Sequence, residues 1–311
     1  MNQYSFTKKY VTVETQTATT KSDTHVDVYK IVNDRIIEQL EKGTVPWRKP
    51  WTEAGLPQNL LTKKYYQGIN MLLLGMENYE HNLFITFQKL QEIGGKVKKG
   101  EKGHMVVYWN QVENKEQKPG EENPDQKKKS ILRYYYVFNI SQCEKIPEKY
   151  LPVAREIKEL PSCESIVSGM PHCPPIRHKE NKAYYNFKED FVNMPRQKSF
   201  KSDASYYSVL FHELVHSTGH ESRLKRDTIT QMAEFGDDNY SLEELVAEIG
   251  TCYLQSYAGI TSEFQQSAAY LQGWLAKFKG EKRFIFQAAR AAQKAVDFIL
   301  NVKHEEDIQQ N

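Results

Sequence analysis

The chain has 311 residues, 39% of them hydrophobic and 26% charged, which excludes a low-complexity or fibrous polypeptide and leaves room for two domains with separate cores. No run approaches the ~20 consecutive apolar residues of a membrane span, and Met1-Asn2-Gln3-Tyr4-Ser5 lacks the apolar core of a signal peptide, so a cytoplasmic protein with no membrane partner is expected. The formal net charge is only +2, but residues 1–150 hold 23 Lys+Arg against 18 Asp+Glu and the remainder 19 against 22, so the two halves differ in sign. Cys143, Cys163, Cys173 and Cys252 form no C-x-x-C pair, which reads as reduced thiols rather than a disulfide framework.

Residues 1–24 are polar and aperiodic, and a disordered tail is expected. From His25 to Lys42, Val28, Val32, Ile36 and Leu40 recur at four-residue steps, which predicts a helix with Thr24 as N-cap and Gly43 as terminator. Pro46-Trp47-Arg48-Lys49-Pro50-Trp51 then sets two indoles and two cations in a proline-stiffened loop, suited to stacking unpaired bases while the cations hold phosphates. Two tryptophans filling the core is the competing reading. Tyr65 to Asn70 reads as a turn feeding a buried helix at Met71-Leu72-Leu73-Leu74, and Phe84 to Lys89 as the start of another. Lys96, Lys98, Lys99 and Lys102 lie among Gly94, Gly95, Gly100 and Gly103, a basic loop able to touch phosphates without reading sequence, or simply a solvated hairpin tip. A strand at Met105 to Trp109, a flexible insertion over 115–130 and a returning strand at Ile131 to Ile140 complete a small mixed domain with an antiparallel sheet.

Six prolines between Pro147 and Pro175 mark a junction, and the boundary falls near residue 150, giving domains 25–150 and 151–305. Strands are expected at Ala183 to Asn186 and Asp190 to Pro195, then a helix carrying Phe211-His212-Glu213-Leu214-Val215-His216, with Gly219 as its cap. Two histidines four residues apart project from one helical face and can reach one tetrahedral ion, while Glu213 can act as general base on the water that ion polarises. Zn2+ is the expected cofactor, with Mn2+ or another divalent ion as the alternative. The third ligand is sought in Ser241-Leu242-Glu243-Glu244-Leu245-Val246-Ala247-Glu248, a second helical run. Glu244 is preferred, with Glu248 on the same face as a carboxylate that could orient a ligand histidine. A capping box between Ser241 and Glu244 would also explain the pair. His220 is the rival ligand, although its spacing does not fit the metzincin pattern. Tyr184, Tyr185 and Tyr240 are candidate donors to a tetrahedral oxyanion, and nothing in the sequence chooses among them. Helices at Phe264 to Phe278 and Phe284 to Leu300 close the chain.

The segments Gly43-Thr44-Val45-Pro46-Trp47-Arg48-Lys49-Pro50-Trp51, Asn59-Leu60, Tyr66-Gln67-Gly68-Ile69-Asn70, Gly94 to Lys102, Ala183-Tyr184-Tyr185, HELVHSTGH and EELVAEIG together resemble ArdC-like antirestriction proteins, over roughly residues 25–300. The resemblance implies an α+β protein of two domains, a small mixed α/β single-stranded-DNA-binding domain and a mainly helical zincin-like metallopeptidase domain whose strand edge holds an extended peptide. It implies single-stranded DNA as partner, met through Trp47, Arg48, Lys49, Trp51, Asn59, Tyr66, Asn70, Lys96, Lys98, Lys99 and Lys102. The implied role is protection of incoming DNA during conjugative transfer, in a bacterial cytoplasm. The alternative is a zinc-dependent endopeptidase acting on a protein or peptide substrate, whose N-terminal domain only recruits it to DNA or a protein partner.

Overall fold

The computed structural model describes residues 26–48, 55–77, 79–113, 128–151, 162–230, 238–260 and 268–302. The expected tail, most of the 115–130 insertion, Thr24 and Trp51 lie outside them.

Helix α1 (Val28–Glu41) forms where the apolar four-residue repeat predicts it, and it buries Val28, Val32, Ile36 and Leu40. Its N-cap is Asp27, whose carboxylate accepts from the Lys30 amide at 3.1 Å. The sheet of this half has the order β1-β2-β5-β4. β1 (Gln58–Asn59) runs parallel to β2 (Leu83–Thr86), which pairs antiparallel with β5 (Lys128–Asn139), and β5 pairs antiparallel with β4 (His104–Glu113). The stretch Phe84-Ile85-Thr86, read from sequence as helical, is strand: Thr86 closes β2 and its hydroxyl accepts from Lys89 N to start α3 (Phe87–Glu92). Between β1 and β2 lies α2 (Ile69–Gly75), which covers the edge of β4. There Asn70 donates to the Val107 carbonyl at 2.7 Å and accepts from the Val107 amide at 2.8 Å, pairing backbone groups that an edge strand otherwise leaves open. β3 (Lys96–Val97) and β6 (Cys143–Glu144) form a separate two-stranded ladder.

In the second half, α4 (Cys163–Gly169) precedes a three-stranded sheet of order β7-β9-β8, from Ile176–Arg177, Phe191–Asn193 and Tyr184–Asn186. Helix α5 (Asp203–Ser217) carries the HELVH motif, and α6 (Asp227–Thr230), α7 (Asp238–Ala258), α8 (Ala268–Gly280) and α9 (Phe284–Ile299) follow. Because α7 is already helical at Asp238, Ser241 lies inside it and the capping-box explanation of Glu244 fails. Gly219 is needed for space rather than for a left-handed turn: a Cβ there would sit 2.7 Å from Ile229 Cγ1 and 3.0 Å from Arg226 Nη2.

The architecture is two-domain, but the cores are not separate. One apolar cluster joins Val32, Ile36 and Trp47 of the first half to Phe211 and Leu214 of α5, Leu245 of α7 and Ala289 of α9. Polar bonds cross the same boundary: Asn33 donates to the Phe278 carbonyl at 2.7 Å, and Tyr253 to the Gly68 carbonyl at 3.0 Å. The apolar faces of α1 and α2 are therefore satisfied by helices more than a hundred residues away in the chain. Among the described residues no helix is long and apolar enough to cross a membrane.

Candidate metal centre

Helix α5 begins at Ser202, whose hydroxyl accepts from the Ser205 amide at 3.1 Å, and places His212 and His216 one turn apart on one face. Their Nε2 atoms are 3.1 Å apart. Helix α7 packs against α5 through Gly250, where a Cβ would meet Val215 Cγ2 at 2.9 Å, so glycine permits the close approach. That approach brings Glu244 to the histidines: one oxygen is 3.6 Å from His212 Nε2 and the other 3.5 Å from His216 Nε2. The donor atoms of His212, His216 and Glu244 all lie within 4.8 Å of one another. Donors bound at ~2.0–2.1 Å around a tetrahedral ion are ~3.3 Å apart, so the three side chains fit a single divalent cation with little movement.

The charges are arranged for a cation. Burial opposes ionisation of Glu244, yet the His212 and His216 imidazoles facing its two oxygens overcome it and hold its carboxyl well below the usual carboxylate range. His216 is fully buried, which disfavours its charge, but Glu243 and Glu244 beside it raise its pKa to about 10. A positive charge is thus favoured at this point, and a metal ion would take the proton's place.

The carboxylate that the structure sets against His216 is Glu243, not Glu248. Glu243 is completely buried, and its Oε1 lies 3.2 Å from His216 Nδ1. Arg226 donates to both Glu243 oxygens, at 2.6 and 3.0 Å, and the Thr228 hydroxyl donates at 2.6 Å. Burial raises the Glu243 pKa, but Arg226 and His216 together bring it down to about 2. Glu248 instead accepts from Trp47 Nε1 at 2.9 Å and from the Tyr270 hydroxyl. Sequence spacing pointed to Glu248 because it shares a helical face with Glu244. The adjacent Glu243 reaches the other ring nitrogen only because of the angle at which α7 crosses α5, and no sequence signal specifies that angle.

Of the candidate oxyanion donors, Tyr240 stands at the site: burial, then the charge of Glu244, a hydrogen bond to Glu244 and the charge of Glu213 push its phenol up to about 12. Tyr184 donates to Glu180 at 3.0 Å, and Tyr185 to Asp190 at 2.7 Å. His220, the rival ligand, faces Ser222 at 2.8 Å and packs against the Phe187 ring, outside the three-residue cluster.

Most of the expected DNA contacts have structural partners. Trp47 is entirely buried, its ring 5.8 Å from that of Trp274 and 5.7 Å from that of Phe278. It therefore cannot stack a base, and core filling is the reading that holds. Asn59 accepts from the Leu61 and Thr62 amides, Asn70 holds β4, and the Tyr66 ring packs edge-on against Phe84. Lys96 pairs with Glu144 at 2.8 Å, and Lys98 donates to the Ser141 carbonyl at 2.6 Å. Lys99 and Lys102 are exposed. Lys49, Trp51 and the Arg48 side chain lie outside the described residues.

A mixed sheet domain followed by a helical domain with a helix-borne His-His-Glu cluster defines a two-domain protein of zincin-like type. A family model described as the N-terminal domain of anti-restriction factor ArdC matches residues 26–138, and one described as a zincin-like metallopeptidase matches residues 171–291. The chain belongs to the ArdC antirestriction family. It is similar to the metal-free crystal structure of the antirestriction ArdC protein from the R388 plasmid, with TM-score 0.71 and 40% identity over 88% of this chain and 96% of that one. The Mn(II)-bound structure of that protein gives TM-score 0.71 and 37% identity over 88% and 97%. A Sinorhizobium fredii protein, y4eC, is 30% identical over 89% of this chain and 92% of its own length. Escherichia coli DNA primase TraC is 34% identical over 86% of this chain, which spans only 26% of the primase.

Proposed function

We propose that this chain is a metal-dependent antirestriction protein that binds single-stranded DNA without sequence preference and protects incoming DNA during conjugative transfer. The observation that carries the metal part of the reading is the convergence of His212, His216 and Glu244 beside Glu213. The Mn(II)-bound relative supports a divalent ion, and the all-nitrogen-and-carboxylate donor set suits Zn2+ or Mn2+ alike. Bound there, such an ion supplies Lewis acidity and a water of lowered pKa.

Glu213 takes the proton of the attacking water and returns it to the leaving amine. Tyr240 donates to the developing oxyanion. Glu243 keeps His216 in the tautomer whose Nε2 faces the ligand set. The reaction class is peptide-bond hydrolysis, the chemistry this arrangement serves in zincins.

The test has two arms. A Glu213→Gln protein is expected to keep its metal, measured by elemental analysis, and to lose peptide hydrolysis; hydrolysis persisting unchanged would overturn the peptidase assignment. Conjugation into a restriction-proficient recipient is expected to fall when the donor lacks the protein, and equal transfer would overturn the protective role. The burial of Trp47 gives weight to a second reading, an endopeptidase whose N-terminal half only recruits it to DNA or a protein partner; in its protein-recruiting form it predicts no binding of single strands.

A further inference from the structure

Strands β4 and β5 pair over ten positions, from His104 opposite Val137 to Glu113 opposite Lys128. Directly opposed residues share a face, so Val106 and Tyr108 of β4 and Arg133, Tyr135 and Val137 of β5 lie on one side of the ribbon. At one end this side is covered: Val106 and Val137 are buried with Leu74 and Phe84, and Tyr66 and Tyr79 pack against them. Two residues further along, the cover stops. Tyr108 and Tyr135 are 43% and 39% exposed, with ring centroids 5.7 Å apart and planes tilted by 61°. Tyr108 stands opposite Arg133, whose Nε is buried and has no hydrogen-bond partner among the described residues.

The charge of the two strands points to the kind of ligand. From His104 to Glu113 and from Lys128 to Asn139 the sequence contains Lys128, Lys129 and Arg133, with Glu113 as its single acid. Exposed paired aromatics on strands whose sequence carries three cations and a single carboxylate suit a polyanion that also presents flat apolar rings. Single-stranded nucleic acid is such a ligand, whereas a duplex keeps its base faces stacked on one another.

We propose that the face formed by Tyr108, Arg133 and Tyr135 is the surface on which this protein stacks the bases of single-stranded DNA. The proposal rests on the reading that the chain binds single strands, and it moves the contact from the buried Trp47 to the outer ribbon. Base stacking on Tyr108 and Tyr135 is tolerant of sequence because every base has a π-face, and Arg133 adds a donor for a phosphate or base edge.

The test uses the full chain with a fluorescein-labelled oligothymidylate, titrated by anisotropy at several salt concentrations, and photo-cross-linking to a 5-iododeoxyuridine oligonucleotide mapped by mass spectrometry. Cross-links are expected at Tyr108 or Tyr135, and Tyr108→Ala and Tyr135→Ala are each expected to weaken binding by about tenfold. Arg133→Gln is expected to lower the slope of log affinity against log salt by about one. Tyr136→Ala, an exposed residue on the opposite face beside Met105, is expected to bind as the parent does. Because the Tyr108 and Tyr135 rings are exposed, their variants test the proposal even if Arg133→Gln fails to fold. If the parent binds single strands but cross-links elsewhere and both tyrosine variants keep full affinity, the stacking face is wrong while DNA binding stands. If the parent binds no single strand, both fall. A concentration-dependent dimer abolished by Tyr135→Ala, with DNA binding unchanged, would make the face a contact between copies and overturn the proposal.

Discussion

At the scale of single residues, the candidate metal centre rests on groups outside the cluster of His212, His216 and Glu244. Glu243 holds His216 at 3.2 Å while Arg226 and Thr228 hold Glu243. Removing such a support typically costs 10–100-fold in metal affinity, so Glu243→Gln is expected to weaken metal binding by about that factor in a competition titration with a chromophoric chelator. Unchanged affinity would leave Glu243 a purely structural anion. Asp190 illustrates a charge with no part in the site. It accepts from Tyr185, and from Arg223, whose side chain is 1% exposed. Burial raises the Asp190 pKa, but Arg223 and Tyr185 outweigh it and the carboxyl is held below its ordinary value. A depressed carboxyl stabilises the fold above the unfolded-state value near ~4 and loses that contribution as pH falls through the folded value. Asp190→Asn is therefore expected to lower stability at neutral pH by about 1–3 kcal/mol, because the buried Arg223 guanidinium loses its carboxylate while keeping the Ser217 and His172 carbonyls, and to flatten the acid limb below pH ~4 in urea melts.

At the scale of elements, the α5–α7 contact decides whether the ligands meet. Gly250 sets that distance, since any Cβ collides with Val215. Gly250→Val is expected to cost about 1–3 kcal/mol by overpacking and to weaken metal binding, because Glu244 is withdrawn from His212 and His216. A variant destabilised to that extent with unaltered metal affinity would show that the ligands adjust independently of the helix spacing. The elements also show how far local pattern reaches. The four-residue apolar steps of α1 and the motif on α5 were legible from sequence. Phe84-Ile85-Thr86 was misread because a short apolar run has no period to distinguish strand from helix, and pairing with β5 decides it.

At the scale of the whole molecule, the shared core makes the two halves one cooperative unit. Trp47 is an N-terminal residue fully buried against α8 and bonded to Glu248, one turn beyond Glu244 on α7. Trp47→Ala is expected to cost about 3–5 kcal/mol and to lower metal affinity as well, because Glu248 loses one of its donors, the Trp47 indole. Metal at 100 times its Kd is expected to stabilise the native state by about 2.7 kcal/mol. That gain should raise one common melting transition, seen alike by tryptophan fluorescence and by helical circular dichroism. Two transitions, with only one responding to metal, would show that the halves fold apart.

The sequence by itself placed His212 and His216 on one helical face with Glu213 between them, because a helix of 3.6 residues per turn puts positions four apart on one face whatever surrounds it. It also determined most helices and the two-domain order, through apolar periodicity and turn residues. It left Glu244 and His220 both open as the third member of the cluster, pointed to Glu248 where Glu243 lies against His216, and allowed a solvent-facing Trp47 that the structure buries. Those choices belong to the tertiary structure alone. Which neighbour of Glu244 reaches a histidine, and whether an indole faces solvent or core, depend on the crossing angle and separation of elements far apart in the chain, and no local pattern encodes either.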